Sequence, residues 1–146
     1  MARCARLALW IVVLVGFGVA WWRYPEENQF SILRCTISFL GSPDADRNPE
    51  GWRWYQVGMT VLIVLLAEMV LQRHRNFLPL VGNKLRLATG IHFASLVLVL
   101  GSVWIADTDE YWYGFRVGTV HTRVAIIGIF TMMAALIVDG RLLKRA

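Results

Sequence analysis

The chain of 146 residues is 57% hydrophobic and only 17% charged, with a formal net charge of +5. Soluble domains run nearer half apolar and a quarter charged, so an ordinary soluble domain is excluded. A mean hydropathy of +0.51 agrees, and the excess of Lys and Arg points to a membrane surface rather than to nucleic acid.

A bilayer core about 30 Å thick takes about 20 helical residues to cross. Residues 7–22 form the first apolar run, without charge but short. Two readings stand for it. One is a retained span. The other is a cleaved signal peptide, with residues 1–6 as the basic region, 7–15 as the apolar core and Gly18, Val19 and Ala20 as the cleavage site. Trp21 and Trp22 favour retention, because paired Trp after a span anchors it at headgroup level.

Residues 23–53 make a loop that is long for a protein of this size. Within it, Phe30, Ile32, Leu33, Ile37, Phe39 and Leu40 are too few to cross a bilayer. They predict a short interfacial helix or re-entrant segment. Turn residues follow at Ser42, Pro43 and Asp44 and again from Arg47 to Glu50. The second span covers residues 54–72 and carries one charge, Glu68. Arg73, His74, Arg75, Lys84 and Arg86 flank Pro79 and Gly82, which predicts a short basic turn beside anionic headgroups. The third span, 87–106, holds His92, and the fourth, 117–138, holds His121 and Arg123. The expected fold is therefore all-α: one integral membrane four-helix bundle over residues 1–146, with a structured outer loop.

With the N-terminus inside, nine Lys and Arg residues fall on the side of the termini and six on the loop side. The positive-inside rule then places both termini in the cytoplasm, in the plasma membrane if the source is prokaryotic. Ten aromatics, including Trp21, Trp22, Tyr24, Trp54, Tyr55, Trp104 and Tyr111, gather at the outer interface as a belt. Cys4 and Cys35 fall on opposite sides and cannot bridge within one chain. Metal-ligand spacings, phosphate-binding loops and nucleophile-elbow motifs are absent, so no metal or cofactor is expected.

Ionisable groups inside a bilayer are costly and mark an interior or a cavity. Steps of three and four predict three inward stripes. They are Gly58, Val61, Leu65, Glu68 and Gln72; Ala88, His92, Ser95, Val99 and Ser102; and His121, Ala125, Gly128, Met132, Ala135 and Asp139. Glu68 and His92 fall at similar depths, roughly 6–8 Å from the inner ends of their spans. An inner polar site of Glu68, His92 and Asp139 follows. It reads as a proton-handling or headgroup site, or as one satisfied ion pair with Glu68 reaching toward Arg73. An outer polar site of Ser38, Asp44, Asp107, His121 and Arg123 reads as a structural cap or as a polar pocket. His92 and His121 lie at opposite depths, which excludes haem held by both.

The run Ile37, Ser38, Phe39, Leu40, Gly41, then Pro49, Glu50 and Gly58, resembles a signature of the Frag1/DRAM/Sfk1 group of membrane proteins and a related prokaryotic family of unknown function. Val120 and His121 with Ala125 and Phe130 resemble that group's segment opening a later span. The similarity covers roughly residues 5–138. Phe39 stands where the group's motif has Asp, and the chain holds four spans where the group usually has six. The resemblance implies a helical membrane bundle with lipid as ligand and no catalytic residue.

The expected function is thus a non-enzymatic bundle that binds membrane lipid, another membrane protein or a second copy of itself, without nucleic acid. One alternative is an enzyme acting on lipid at the outer face through Ser38, His121 and Asp44 or Asp107. The other is a proton- or solute-handling oligomer using Glu68, His92 and Asp139.

Overall fold

The computed structural model describes residues 3–28, 37–112 and 114–144. Four helices dominate it: α1 (Arg3–Trp22), α2 (Trp52–Val81), α3 (Lys84–Ile105) and α4 (Val117–Leu143). Each is long and apolar enough to cross a membrane. In lipid a helix satisfies its own backbone, so runs of Leu, Ile and Val that would aggregate in water become stable spans. The four expected spans fall within these helices, except that α3 stops at Ile105, one residue short of the expected end. A two-residue antiparallel ladder, β1 (Tyr111–Trp112) with β2 (Phe115–Arg116), joins α3 to α4. Gly114 carries it with φ +79, a conformation that suits residues without a side chain.

The expected short turn forms at Gly82 and Asn83, well beyond the end of the apolar span at residue 72. Helix α2 runs on to Val81, with Pro79 in its last turns, and stops only where Gly82 takes φ +72 and donates its N–H to the Leu78 carbonyl. Apolar composition marks where a chain leaves hydrocarbon; the helix itself ends where a residue accepts the left-handed region. Arg73, His74 and Arg75 are therefore helical, and Arg73 faces inward rather than serving as an exposed topology signal.

Neighbours in sequence are neighbours in space: α1 packs on α2, α2 on α3 and α3 on α4. The stripe of α4 is its inward face, with His121, Gly128, Ala135 and Asp139 all buried. The stripe of α3 is likewise inward at Ala88, His92, Ser95 and Ser102, and a second buried row at Leu85, Thr89, Leu96 and Val103 lies beside it. Helix α2 differs from expectation. Gly58 and Glu68 of its stripe meet α1, whereas Gln56, Ile63, Val70 and Arg73 serve α3 and α4. Gly16 and Gly58 bring α1 and α2 together, since a Cβ on Gly16 would sit 2.8 Å from the Gly58 Cα.

Leu7, Leu14, Phe130, Leu136 and other large apolar residues of α1 and α4 stay more than half exposed, as a lipid-facing surface requires. Trp21, Trp22, Trp54, Trp104 and Tyr111 are exposed at the loop end, in keeping with a belt. Tyr24 and Tyr55 are not part of it. They are buried with Ala20 and Leu40 under the loop, and the Phe17 ring meets Tyr55 edge-on at 5.5 Å. The expected interfacial helix is described only from Ile37, where a 3-10 turn runs to Gly41. The rest of it, and Cys35, lie outside the described residues. Cys4 is exposed on α1.

Candidate functional site

At the loop end, two adjacent residues organise the chain. Asn48 is fully buried, and its side-chain amide donates to the carbonyls of Ala20 at 3.0 Å and Leu40 at 2.8 Å. Its side-chain oxygen accepts from the Gly51 N–H at 3.1 Å, just before α2 begins. One side chain thus ties the end of α1, the 3-10 turn and the start of α2. Arg47 does the corresponding work with charge. Its Nη1 donates to the Asp107 backbone oxygen at 3.0 Å and lies 3.1 Å from Asp107 Oδ1, while Nη2 donates to Asp109 at 3.1 Å. The guanidinium also lies 4.4 Å over the Phe39 ring.

Asp44 completes the network. It accepts from the Thr108 hydroxyl and from the Asp109 N–H at 2.9 Å, which fastens the loop to the segment after α3. Arg116 bonds Asp109 as well. That hydrogen bond, with further attraction from Arg116 and Arg47, holds the Asp109 carboxyl below the usual carboxylate range. Three carboxylates, Asp44, Asp107 and Asp109, thus face two guanidiniums, Arg47 and Arg116. One negative charge is left over.

Beneath this network lies a cavity of about 500 Å³. Its loop end is lined by Ser38, Arg47, Asp107, His121 and Thr122, and its deeper wall by Met59, Val99, Val103, Ala125, Ile126 and Ile129. Ile126 and Ile129 are half exposed on α4, so the deeper part opens toward lipid. The Ser38 hydroxyl donates to Asp107 Oδ2 at 3.1 Å. His121 places Nδ1 2.7 Å from the Ser102 carbonyl. A carbonyl only accepts, so Nδ1 carries a proton and Nε2 is the ring nitrogen not engaged by that bond.

Of the expected outer site, the cavity gathers Ser38, Asp107 and His121. Asp44 is set apart in the loop network, and Arg123 lies exposed beside a different hollow with Arg116 and Thr119. The pattern differs from a nucleophilic triad, in which the base faces the Ser hydroxyl and the acid faces the base. Here the acid holds the hydroxyl directly and a backbone carbonyl holds the base.

The inner site also forms, with a different membership. His92 Nε2 lies 2.7 Å from Asp139 Oδ2 and 3.0 Å from Arg73 Nη1, and Arg73 pairs directly with Asp139. His92 Nδ1 faces the Met132 sulfur at 3.4 Å. Glu68 is not a partner of His92, nor does it reach Arg73. It turns to the other face of α2, where it accepts from Arg6 of α1 at 3.1 Å and from Gln72 at 3.0 Å. Glu68 and His92 share a depth, but Glu68 sits on the face of α2 that meets α1 rather than α3, a distinction that depth along the helix does not reveal. Among the described residues, no three His, Cys, Asp or Glu side chains converge as a metal site.

Arg47, Asn48 and Arg73 are the functional-site residues that sequence reasoning passed over. Arg47 and Asn48 sit beside Pro49 and read as turn chemistry, and Arg73 read as a flanking charge. The one available signal was the surplus of acids on the loop side, which called for a buried cation.

No protein-family model, curated protein or solved structure matches the chain.

Proposed function

We propose that this is a non-enzymatic membrane protein that binds an amphiphile in the loop-end cavity. The apolar chain lies against Met59, Val99 and Ile129, and the polar head meets Ser38, Thr122 and His121. The observation that carries this reading is the polarity gradient along one cavity, hydrogen-bonding at the loop and apolar where α4 meets lipid. The leftover negative charge beside Arg47 favours an uncharged or zwitterionic head over an anion. With the termini in the cytoplasm, as the distribution of Lys and Arg favours, the bound amphiphile belongs to the outer leaflet. The resemblance to the Frag1/DRAM/Sfk1 group points to the same class of ligand.

The test is the lipid that stays with the full chain after purification into nanodiscs of mixed zwitterionic and anionic phospholipid. Wild type is expected to retain a zwitterionic lipid through detergent washes. Ala125→Trp, which fills the cavity from α4, is expected to retain about ten-fold less. Equal retention by a folded Ala125→Trp protein contradicts binding here. Turnover of a lipid ester that His121→Ala abolishes without unfolding would replace binding by catalysis.

A further inference from the structure

The loop-end cavity has a polar neighbour at the start of α4. This hollow measures about 370 Å³ and is lined by Asp107, Arg116, Gly118, Thr119, Thr122 and Arg123. Asp107 and Thr122 line the cavity as well, so the two adjoin along that rim. Arg123 stands six residues into α4, roughly 9 Å along the helix at its usual rise. Helical side chains lean toward the N-terminus, which returns the guanidinium toward the loop end. Arg123 is exposed, and Ile127 and Phe130 below it on the same face are exposed to lipid. Among the described residues, neither the Arg123 guanidinium nor the Thr119 hydroxyl has a partner. A guanidinium on a lipid-facing helix is costly without an anion beside it.

The cavity itself offers a head acceptors rather than donors. The Ser38 hydroxyl donates to Asp107, the Thr122 hydroxyl to the Gly118 carbonyl, and His121 Nδ1 to the Ser102 carbonyl. Phosphodiester oxygens only accept, so their donors lie across Thr122, at Arg123 and Thr119. Charge selects the rest of the head. Arg116, another wall of the hollow, bonds the half-exposed Asp109. Glu110 is exposed beside it, and its backbone oxygen takes the Val117 N–H at 2.8 Å. Acids therefore flank the hollow beyond the start of α4, on the water side of Arg123. A head with a phosphate and, one short linker away, an ammonium suits both charges. An anionic lipid suits only the first, and a glycerolipid without phosphate suits neither.

We propose that the amphiphile of the loop-end cavity is a zwitterionic diacyl phospholipid whose phosphodiester is held by Arg123 and Thr119. Its ammonium end points toward Asp109 and Glu110. One acyl chain lies in the cavity, and the other follows Ile127 and Phe130 on the lipid face of α4. The inference rests on the reading of that cavity as an amphiphile site, and it makes Arg123 the residue that selects phospholipid over uncharged lipid.

Native mass spectrometry of the full chain in detergent can compare retention of dioleoylphosphatidylcholine, dioleoylphosphatidylglycerol and dioleoylglycerol. Wild type should hold the phosphatidylcholine about ten-fold better than dioleoylglycerol, which lacks the phosphate. It should also hold it better than phosphatidylglycerol, which lacks the ammonium. Arg123→Gln should hold phosphatidylcholine and dioleoylglycerol alike. Because the replaced side chain is exposed and unpartnered, this variant should melt as wild type does. A wild-type preference in Arg123→Gln would overturn this inference alone, whereas retention of all three lipids by folded Ala125→Trp would remove the cavity reading beneath it. Stronger retention of phosphatidylglycerol than of phosphatidylcholine, or displacement of phosphatidylcholine by excess inorganic phosphate, would also overturn the proposal.

Discussion

The two ends of this helical row both concentrate charge around one arginine, and they do so to opposite effect. At the loop end Arg47 has its hydrogen bonds taken by Asp107 and Asp109, with Asp44 bonded in turn to Thr108. At the termini end Arg73 and Asp139 pair but leave Nε, Nη2 and Oδ1 open. The difference follows from where the partners come from. The loop end draws on two segments outside the helices, whose backbone is not bound to helical spacing, whereas the termini end has only helices meeting at fixed spacing. A satisfied network serves as a cap, whereas an incompletely satisfied one leaves buried charge at a cost in stability.

Substitutions at each end sharpen that contrast. The largest effect is expected from Asp139→Ala, which leaves Arg73 buried without a counter-charge and costs about 4 kcal/mol in unfolding stability. The double variant Arg73→Met with Asp139→Leu should regain most of that loss, because it removes both charges from an apolar site. Thermal unfolding in detergent checks both, and a double variant as unstable as the single one would mean the pair holds the fold together. Asn48→Ala comes next, at about 3 kcal/mol, since it leaves the Ala20 and Leu40 carbonyls and the Gly51 N–H unpaired. Arg47→Lys should cost about 1–2 kcal/mol, because an ammonium cannot span Asp107 and Asp109 as the planar fork does. A loss as small as at an exposed site would break the idea of a cap.

The smallest effect concerns pH. The Asp109 carboxyl is held low chiefly by its hydrogen bond from Arg116. A depressed folded value means that its stabilisation is present above the unfolded carboxylate range, near pH 4, and is lost as pH falls through the folded value. Melting temperature should therefore fall below about pH 4, and Asp109→Asn should reduce that acid sensitivity slightly. An identical pH profile in the variant would show that the Arg116 bond does not couple to folding.

The four spans were legible because hydrocarbon imposes length and apolarity on any segment that crosses it. The inward faces of α3 and α4 were legible for a related reason, since small and polar residues recur there at helical spacing. Partnership was not legible. Glu68 and Arg73 sit five residues apart on α2, yet one serves α1 and the other α4, and periodicity on a single helix cannot name the neighbour that each face meets. Arg73 was hidden further by its place among basic residues that flank a span. Asn48 looked like a turn residue because its local sequence is one; its role comes from contacts 8 and 28 residues away. Of the outer site, Ser38, Asp107 and His121 converge, since the loop folds back over the helix ends, while Arg123 points elsewhere on α4.

The most direct test is a structure of the full chain in lipid nanodiscs at a resolution that shows bound acyl chains. The account predicts a chain entering between Ala125, Ile129 and Met59, with its head against His121 and Ser38. A loop-end cavity closed by α4 packing onto Met59 and Tyr55, with no lipid inside, would contradict it.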